Sequence, residues 1–431
     1  MATAYFTICA RNYLAYALTL KQSLLKAEPK ATLYIFLADL EFEADPPTDN
    51  IVPAEDLDLP DLADMAMRYS VMEFATAIKP FCFNYLFDKH DAQQAVYLDP
   101  DIYVLAPFDH VSSAFNRGVS AVLTPHLDAP LPDDGFTPST EDIRRSGVFN
   151  LGFAGFANSQ DARMFIDWWA VECAKNCFSS PDTGHFVDQL FVDMAPGFVS
   201  NLCILRHAGY NAAYWNLGTR PVARAQSGGW TAGDDRLHFF HFSGVSPGDP
   251  NIVSKHQTRF SRDNIGELTG LLDEYLAGLS QNRHAAFSKI PYGYGHYDDG
   301  VAIPTPARRA YADAVDAGEH RKPFGSDRRY LHQKADPVDQ TMGAPITTFM
   351  FALWKTRPDL QAVFPLSTAR GRRGFHAWFL EFAQQEYDLS AEFHSAASNS
   401  LGGIATKIAK PLLKNAPPSV QTKVRRMVHG D

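Results

Sequence analysis

The chain has 431 residues, of which 45% are hydrophobic, 13% aromatic and 20% charged. That composition excludes a mainly disordered protein. No apolar run reaches the ~20 residues of a membrane span, and we expect no secretory signal. The net charge of −10 argues against nucleic acid as a partner. The spacing of the five cysteines fits neither a zinc site nor a disulfide framework, which predicts free thiols in a cytoplasmic protein.

Strand and helix patterns alternate in the first quarter of the chain. Apolar runs predict strands over 4–9, 33–37 and 95–98, and apolar stripes predict helices over 13–26 and 71–87. Alternation at this spacing favours an α/β fold whose mainly parallel sheet is covered by helices. Sheets of that kind bind ligands at the carboxyl ends of their strands.

The pattern changes after about residue 260. Before that point, further strands are predicted over 119–123, 152–156, 203–205 and 237–241, and further helices over 161–177 and 185–194. After it the strand signals stop, and helices are predicted over 266–279, 306–317, 346–355 and 374–385. We therefore predict an α/β domain over 1–262, a mainly helical region over 263–400 and a basic amphipathic tail over 401–431.

Two carboxylates, Asp99 and Asp101, directly follow the predicted strand over 95–98. At a carboxyl end of the sheet they would face the ligand cleft, where their oxygens suit a hard divalent cation. His241 ends a later predicted strand, and a neutral imidazole beside two carboxylates suits manganese or a similar ion. Taken singly, the Asp pair is more typical of a solvated turn than of a metal site, and the histidine is more typical of core packing.

Other polar groups stand at the ends of predicted elements. Asn150 enters a strand, and Asp188 with Gln189 lies on a predicted helix; these side chains offer the donors and acceptors that recognise hydroxyl groups. Gly244, after His241, would let the backbone approach a phosphate closely. Without further information each is a polar residue at an element end, and Lys79 is a surface lysine.

The order of these motifs resembles that of the GT-A glycosyltransferases, and most closely glycosyltransferase family 8, the retaining galactosyl- and glucosyltransferases. The matching motifs stand at residues 7–13, 79, 97–101, 149–152, 188–189 and 241–244. The resemblance covers roughly residues 3–256 and implies a Rossmann-like mixed sheet with helices on both faces. Residues 214–217 and 239–244 are also similar to bacterial glycosyltransferases of surface-polysaccharide assembly.

The resemblance implies a role for each motif. Asp99, Asp101 and His241 would hold Mn²⁺ or Mg²⁺ on the diphosphate of a nucleotide-sugar donor. Asp188 would accept hydrogen bonds from hydroxyls of the donor sugar, and Gln189 would lie beneath its anomeric carbon. Further donor contacts are expected from Ile8, Asn12, Lys79, Asn150, Gly152, Gly244 and Lys255.

The chain departs from the family pattern at two positions. Ala10 stands where an acidic residue usually contacts uracil, and Pro247 stands where a lysine usually follows the histidine loop, with Lys255 as a nearby substitute. We still expect a UDP-linked hexose as donor. The family implies retention of configuration, and because the amide of Gln189 is a poor nucleophile, we expect front-face attack instead of a covalent intermediate.

The acceptor is expected to be a glycan or a lipid-linked glycan. Aromatic rings stack on the apolar faces of sugars, which makes two aromatic-rich segments and their neighbours candidate contacts, although ordinary aromatic packing is the alternative. The candidates are His126, Trp215, Asn216 and Tyr294.

The basic tail over 401–431 carries six Lys or Arg residues and only one acid, Asp431. Apolar side chains are interleaved with the basic ones, a pattern typical of segments that lie on an anionic membrane surface. This predicts a cytoplasmic protein that is peripheral to the inner face of the cell membrane. A solvated terminus is the alternative.

Two other functions compete with glycosyl transfer. A sugar-nucleotide pyrophosphorylase has a similar sheet and metal, but it needs a glycine-rich loop after the first strand, and residues 10–13 contain no glycine. A catalytically inactive glycan-binding or scaffold relative would have a broken metal site, whereas Asp99, Asp101 and His241 are all present.

Overall fold

The computed structural model describes residues 3–40, 49–338 and 343–393, which form two compact units. The first unit comprises Met1–Met65 and Val71–Gly293, and the second comprises Ala66–Ser70 and Tyr294–Asp431. The predicted basic tail therefore lies outside the described residues. Among the described residues, no helix has both the length and the apolar character needed to cross a membrane.

Among the described residues, all strands belong to the first unit. They are β1 Ala4–Cys9, β2 Thr32–Leu37, β3 Ile51–Pro53, β4 Gln94–Leu98, β5 Ile102–Val104, β6 Ala121–Pro125, β7 Phe149–Ala157, β8 Ser179–Ser180, β9 His185–Phe186, β10 Leu202–Ile204, β11 Val222–Arg224, β12 Trp230–Ala232, β13 Asp235–Arg236 and β14 Phe239–His241. Seven of them form the central sheet in the order β10-β6-β7-β4-β1-β2-β3. Its pairs are parallel except those of β7, which runs antiparallel to both neighbours, so the sheet is mixed.

Helices cover both faces of this sheet. In this part of the chain they are α1 Leu14–Ala27, α2 Leu62–Arg68 (within which the division between the units falls), α3 Val71–Ala77, α4 Lys79–Lys89, α5 Asp109–Asn116, α6 Thr140–Ser146, α7 Gln160–Asn176, α8 Gln189–Val192, α9 Ala195–Phe198, α10 Leu268–Gln281 and α11 His284–Phe287. Successive side chains of a strand point to opposite faces. Accordingly Tyr5 packs in the core with Leu20 of α1, whereas Phe6 packs edge-on against Phe83 of α4, with ring centroids 4.7 Å apart.

The second unit is helical in the residues described. Its helices are α12 Thr305–Asp316, α13 Arg329–His332, α14 Thr348–Lys355, α15 Pro358–Val363, α16 Ala369–Trp378, a π-helical turn Phe379–Ala383 and α17 Gln384–Glu386. They enclose a separate core that includes Tyr311, Phe349 and Trp378. The predicted fold class, a helix-covered α/β sheet followed by a helical C-terminal region, is confirmed. The first unit extends to Gly293 and includes α10, whereas the sequence placed the domain change near residue 262.

Two predicted helices differ from the structure. The helix over 71–87 is two helices, α3 and α4, because Pro80 lies in the first turn of α4 and its ring would clash with the carbonyl of Thr76 in a continuous helix. The helix over 185–194 shrinks to α8. It is preceded by β9 and by Val187, whose φ of 46° takes the backbone out of the helical region.

Candidate active site

One cleft of about 710 Å³ in the first unit brings most of the predicted site residues together. It opens beyond the carboxyl end of β1 and β4, where α/β sheets bind their ligands. The predicted residues that line it are Ile8, Asn12, Lys79, Asp99, Asp101, His126, Asn150, Gly152, Asp188, Gln189, Trp215, His241, Gly244 and Lys255.

Asp99, Asp101 and His241 form the centre of the cleft. Two backbone ladders bring them together: Asp99 N–H donates to Gly152 O at 2.8 Å, continuing the β4–β7 pairing, and β5 pairs with β14 in a register that sets His241 opposite Ile102. Nε2 of His241 consequently lies 3.0 Å from Oδ1 of Asp101 and 3.4 Å from Oδ2 of Asp99. One ligand atom from each residue lies within 4.8 Å of the other two.

This side-chain set fits a divalent cation. Nε2 of His241 and Oδ1 of Asp101 are buried, face each other at 3.0 Å and have no other hydrogen-bond partner among the described residues. The other ring nitrogen of His241, Nδ1, lies 3.2 Å from Oδ1 of Asn211, and the Tyr97 hydroxyl donates to Oδ1 of Asp99 at 2.5 Å. Outer hydrogen bonds of this kind fix the orientation of metal-binding side chains. Two carboxylates and one imidazole suit Mn²⁺ or Mg²⁺.

Gly152 is the residue that makes room for the His241 ring. A Cβ atom at Gly152 would lie 2.2 Å from Cε1 and 2.6 Å from Nδ1 of His241, well inside van der Waals contact. The imidazole therefore lies directly against the backbone of β7. A glycine is needed here because of this close approach, which the sequence alone does not reveal.

The charges in the cleft perturb one another. Burial raises the pKa of Asp99, and the Asp101 carboxylate adds to the rise, although His241 and Lys79 pull it down. Burial lowers the pKa of His241, but the Asp101 and Asp99 carboxylates outweigh burial and raise it overall. A bound cation would reverse the sign of the local field, favouring ionised carboxylates and a neutral imidazole.

A buried ion pair lies beside this centre. Nζ of Lys79 lies 2.7 Å from Oδ2 of Asp188, donates to Leu151 O at 3.2 Å and stands 4.2 Å from the centroid of the Tyr97 ring. Lys79 is only 1% exposed, so it is not the surface lysine that its sequence suggested by default. Burial raises the pKa of Asp188, and Lys79 opposes that rise.

The segment that carries Asp188 and Gln189 is strained and tightly held. Val187 adopts a φ of 46°, which is unfavourable for a β-branched residue and costs about 1–3 kcal/mol. Gln189 accepts from Leu151 N–H at 2.8 Å and donates to Ser146 O at 2.6 Å. Asp188 O accepts from the indole N–H of Trp169 at 3.2 Å. Hydrogen bonds from three elements therefore hold the Gln189 side chain and the Asp188 backbone in place.

A second network of buried polar side chains lies next to the Asp99, Asp101 and His241 centre. Oδ1 of Asn150 accepts from Gly152 N–H at 3.1 Å and from Nδ2 of Asn211 at 3.0 Å. Nδ2 of Asn150 lies 3.2 Å from Nε2 of His126, whose Nδ1 is 2.8 Å from Gly147 O. Burial lowers the pKa of His126 to about 4, so its ring is neutral at pH 7. Asn150 and His126 thus orient the residues that face the cleft.

The remaining donor residues line the cleft around this centre. Asn12 follows β1, and its Oδ1 is buried without a hydrogen bond. Gly244 has a φ of 75°, which L side chains rarely adopt, and its carbonyl accepts from Lys255 N–H at 2.9 Å. The Lys255 side chain is exposed. Together with Ile8, these positions offer an unpartnered acceptor, backbone groups and a cation to a ligand.

Three of the four acceptor candidates lie close together in the first unit, where the His126 and Trp215 rings are edge-on with centroids 5.5 Å apart. Trp215 lines the cleft but is only 4% exposed, with its ring edge-on to His241 at 5.2 Å. Asn216 is buried outside the cleft lining and donates to the His126 and Asn211 carbonyls. Tyr294 belongs to the second unit.

Two supporting residues are missing from the sequence prediction. Asn211 is fully buried in a loop between β10 and β11 and bridges His241, Asn150 and the Thr124 hydroxyl. Nothing in its neighbourhood marks it, since loop asparagines are common. Tyr97 precedes Asp99 by two residues and so points to the same side of the strand, a signal that was available.

Comparisons with known proteins give distant similarities. No model of a known protein family matches the chain. It is 25% identical to the uncharacterized protein YfnD of Bacillus subtilis over 255 residues, which cover 57% of this chain and 79% of YfnD. Among solved structures, it is similar to the galactosyltransferase LgtC (14% identity, 64% of this chain and 96% of that one, TM-score 0.39) and to the glycosyltransferase GlyE of Streptococcus pneumoniae (13%, 68% and 67%, TM-score 0.35). These TM-scores lie below 0.5, so the function proposed next depends on the residues of the cleft.

Proposed function

We propose that this chain is a metal-dependent GT-A glycosyltransferase that transfers a hexose from a nucleotide-sugar, expected to be UDP-linked, to a glycan or lipid-linked glycan. The observation that carries the proposal is the Asp99, Asp101 and His241 ligand set, which faces a cleft next to the Lys79–Asp188 pair. The volume of about 710 Å³ lies within the range of about 300–1,000 Å³ that is usual for small-molecule sites.

The metal centre is the first part of the mechanism. Asp99, Asp101 and His241 would hold Mn²⁺ or Mg²⁺, which supplies Lewis-acid stabilisation of the diphosphate leaving group. Tyr97 would hold Asp99 in place and Asn211 would hold His241 in place through their hydrogen bonds. Lys255, at the edge of the cleft, would add positive charge near the same phosphates.

The Lys79–Asp188 pair and Gln189 would act on the donor sugar. Asp188 is fixed by Lys79 at 2.7 Å and would accept from sugar hydroxyls. The amide of Gln189 is occupied by Leu151 and Ser146 and is a poor nucleophile. Both features favour front-face attack with retention of configuration over a covalent glycosyl-enzyme. Ile8 and Asn12 would contact the nucleoside.

The biological setting of the proposal is bacterial surface-polysaccharide synthesis. A lipid-linked acceptor would be reached from the inner face of the cell membrane. The basic tail over 401–431 is the segment expected to lie on that surface, and it falls outside the described residues. Its membrane association and the cytoplasmic location therefore stay predictions.

Nucleotide release from UDP-, GDP- and dTDP-hexoses in the presence of Mn²⁺ tests the proposal. We expect slow release from one donor, loss of release with a chelator and recovery when Mn²⁺ is restored. Asp101→Ala should lower release by about 100-fold or more, since losing a metal ligand costs at least as much as losing an outer partner. Asp58→Ala removes an exposed carboxylate outside the cleft lining and should change nothing.

The same assay can also contradict the proposal. If no donor is hydrolysed or bound with Mn²⁺ present, the proposed catalysis is wrong. Binding of glycans without nucleotide-sugar would then favour the inactive glycan-binding relative. Retention is tested separately by proton NMR of the sugar released from an α-linked donor, which should appear first as the α-anomer.

A further inference from the structure

A second group of convergent histidines lies outside the cleft lining. His110 is in the first turn of α5, His207 is in the loop after β10, and His238 immediately precedes β14. The ring centroids of His110 and His207 are 4.3 Å apart, and each lies 5.3 Å from that of His238. One ring nitrogen from each residue lies within 4.8 Å of the other two. His238 is buried, His207 is half-buried and His110 is exposed, so the group opens to solvent on one side.

His238 has the hydrogen bonding of a metal ligand. Its Nδ1 lies 2.5 Å from Pro107 O, and since a carbonyl only accepts, this nitrogen carries the proton. The other nitrogen, Nε2, therefore presents a lone pair, and it is buried with no hydrogen-bond partner. His238 is 1% exposed, so water does not readily satisfy that atom. Burial, assisted by His207 and His110, lowers the pKa of His238 to about 4, which keeps the ring neutral.

The lone pair of the neutral His207 ring is on Nδ1, where it already accepts a hydrogen bond. Its Nδ1 accepts from Gly209 N–H at 3.1 Å, and its Nε2 lies 3.8 Å from Oδ1 of Asp235. The Asp235 carboxylate beside Nε2 is an outer partner typical of a metal-binding histidine, and a metal at Nδ1 would replace the Gly209 hydrogen bond. Burial lowers the pKa of His207, so this ring too is in the form that binds metals.

We infer that His110, His207 and His238 form a second metal site, which binds a transition-metal ion of the zinc class. Three neutral imidazoles and an open fourth position are a common zinc ligand set, with Zn–N distances of about 2.0–2.1 Å. Tetrahedral geometry then places the nitrogens about 3.4 Å apart, so nitrogens that lie within 4.8 Å of one another need to approach by at most about 1.4 Å. Exposed His110 has room for that movement.

The site would fasten three separate segments of the first unit. The backbone of His238 is already fixed, since its carbonyl accepts from Leu105 and Ala106 N–H and its N–H donates to Gly209 O. A metal ion would add a bond from that strand to the start of α5 and to the β10–β11 loop. The expected role is structural stabilisation, and the inference does not depend on the proposed glycosyl transfer.

Zinc titration of the full chain, free of any histidine tag, tests the inference. In Asp101→Ala, which removes the cation site of the cleft, one equivalent of Zn²⁺ should still bind and raise the Tm. Adding His110→Ala should weaken binding by about 100-fold or more and abolish the Tm rise. Adding His90→Ala, which removes an exposed histidine of the same unit, should leave both unchanged.

A spectroscopic measurement identifies the ligands. Co²⁺ in place of Zn²⁺ should give visible absorption of a nitrogen-rich tetrahedral site in Asp101→Ala, and the absorption should be lost on His110→Ala. If Asp101→Ala binds no Zn²⁺, or if His90→Ala weakens binding as much as His110→Ala, the three histidines are only packed aromatic rings and the inference is wrong. Nucleotide release bears only on the cleft, so the two proposals fail independently.

Discussion

Replacing Gly152 by alanine tests how the proposed cation site is built. The added Cβ would lie 2.2 Å from Cε1 of His241, and ordinary contact begins at 3.4 Å, so the ring must retreat by at least 3.4 − 2.2 = 1.2 Å. The same Cβ would lie 2.9 Å from Oδ1 of Asn150, which closes one direction of relief. His241 therefore has to leave its place between Asp101 and Asn211.

A displacement of about 1 Å in a positioned group costs about 100-fold in rate. We expect Gly152→Ala to lower nucleotide release by about that factor and to weaken Mn²⁺ binding about 10- to 100-fold. Mn²⁺ affinity is measured by titration with electron paramagnetic resonance, and release is measured at saturating Mn²⁺. Circular dichroism confirms that the variant is folded.

Gly155→Ala is the matched control, because it makes the same change three residues further along β7. Its Cβ would lie 3.1 Å from Cζ of Phe115 and 3.4 Å from Cγ2 of Val96, neither of which belongs to the proposed cation site. Each variant should lose about 1–3 kcal/mol of unfolding free energy from overpacking, but only Gly152→Ala should lose Mn²⁺. Equal Mn²⁺ affinity in the two variants would refute the argument that this glycine makes room for His241.

Three further predictions concern the buried polar groups of the cleft. Lys79→Met should lower the free energy of unfolding, measured in urea, by about 3–5 kcal/mol, because it leaves Asp188 buried and unpaired. Adding Asp188→Asn should recover part of the loss. An equal loss in the single and the double variant would contradict the role of the ion pair. Burial lowers the pKa of His126 to about 4, against an ordinary value of 6.5, so the unfolded chain binds a proton first as the pH falls. The free energy of unfolding should therefore drop by about 3 kcal/mol between pH 6.5 and pH 4. His126→Gln should remove that share of the drop. Tyr97→Phe removes the hydroxyl that donates to Asp99 and should weaken Mn²⁺ binding about tenfold while the fold is retained; unchanged affinity would show that this hydrogen bond does not orient the ligand.

The sequence predicted six of the seven strands of the central sheet, all but β3, and the position of two of the residues proposed to bind a cation. Apolar runs marked β1, β2 and β4 because strands buried on both faces read as continuous hydrophobic segments. Asp99 and Asp101 follow β4 directly, so their place at the carboxyl end of the sheet follows from local sequence. The helical character of the second unit followed in the same way from apolar stripes at helical spacing.

Only the tertiary structure decided which distant residues meet at that edge. His241 lies far along the chain from Asp101, and the β5–β14 pairing that brings them to 3.0 Å is a long-range register without a local signal. Asn211 likewise has no local signal, because its contacts depend on where its loop lies in the folded protein. Lys79 reads as a surface residue until its helix is seen to begin at that position, with the ammonium buried against Asp188. Local propensity decides which residues form helices and strands. Burial, strand register and close approach depend on two segments at once, as the close contact of His241 with Gly152 shows.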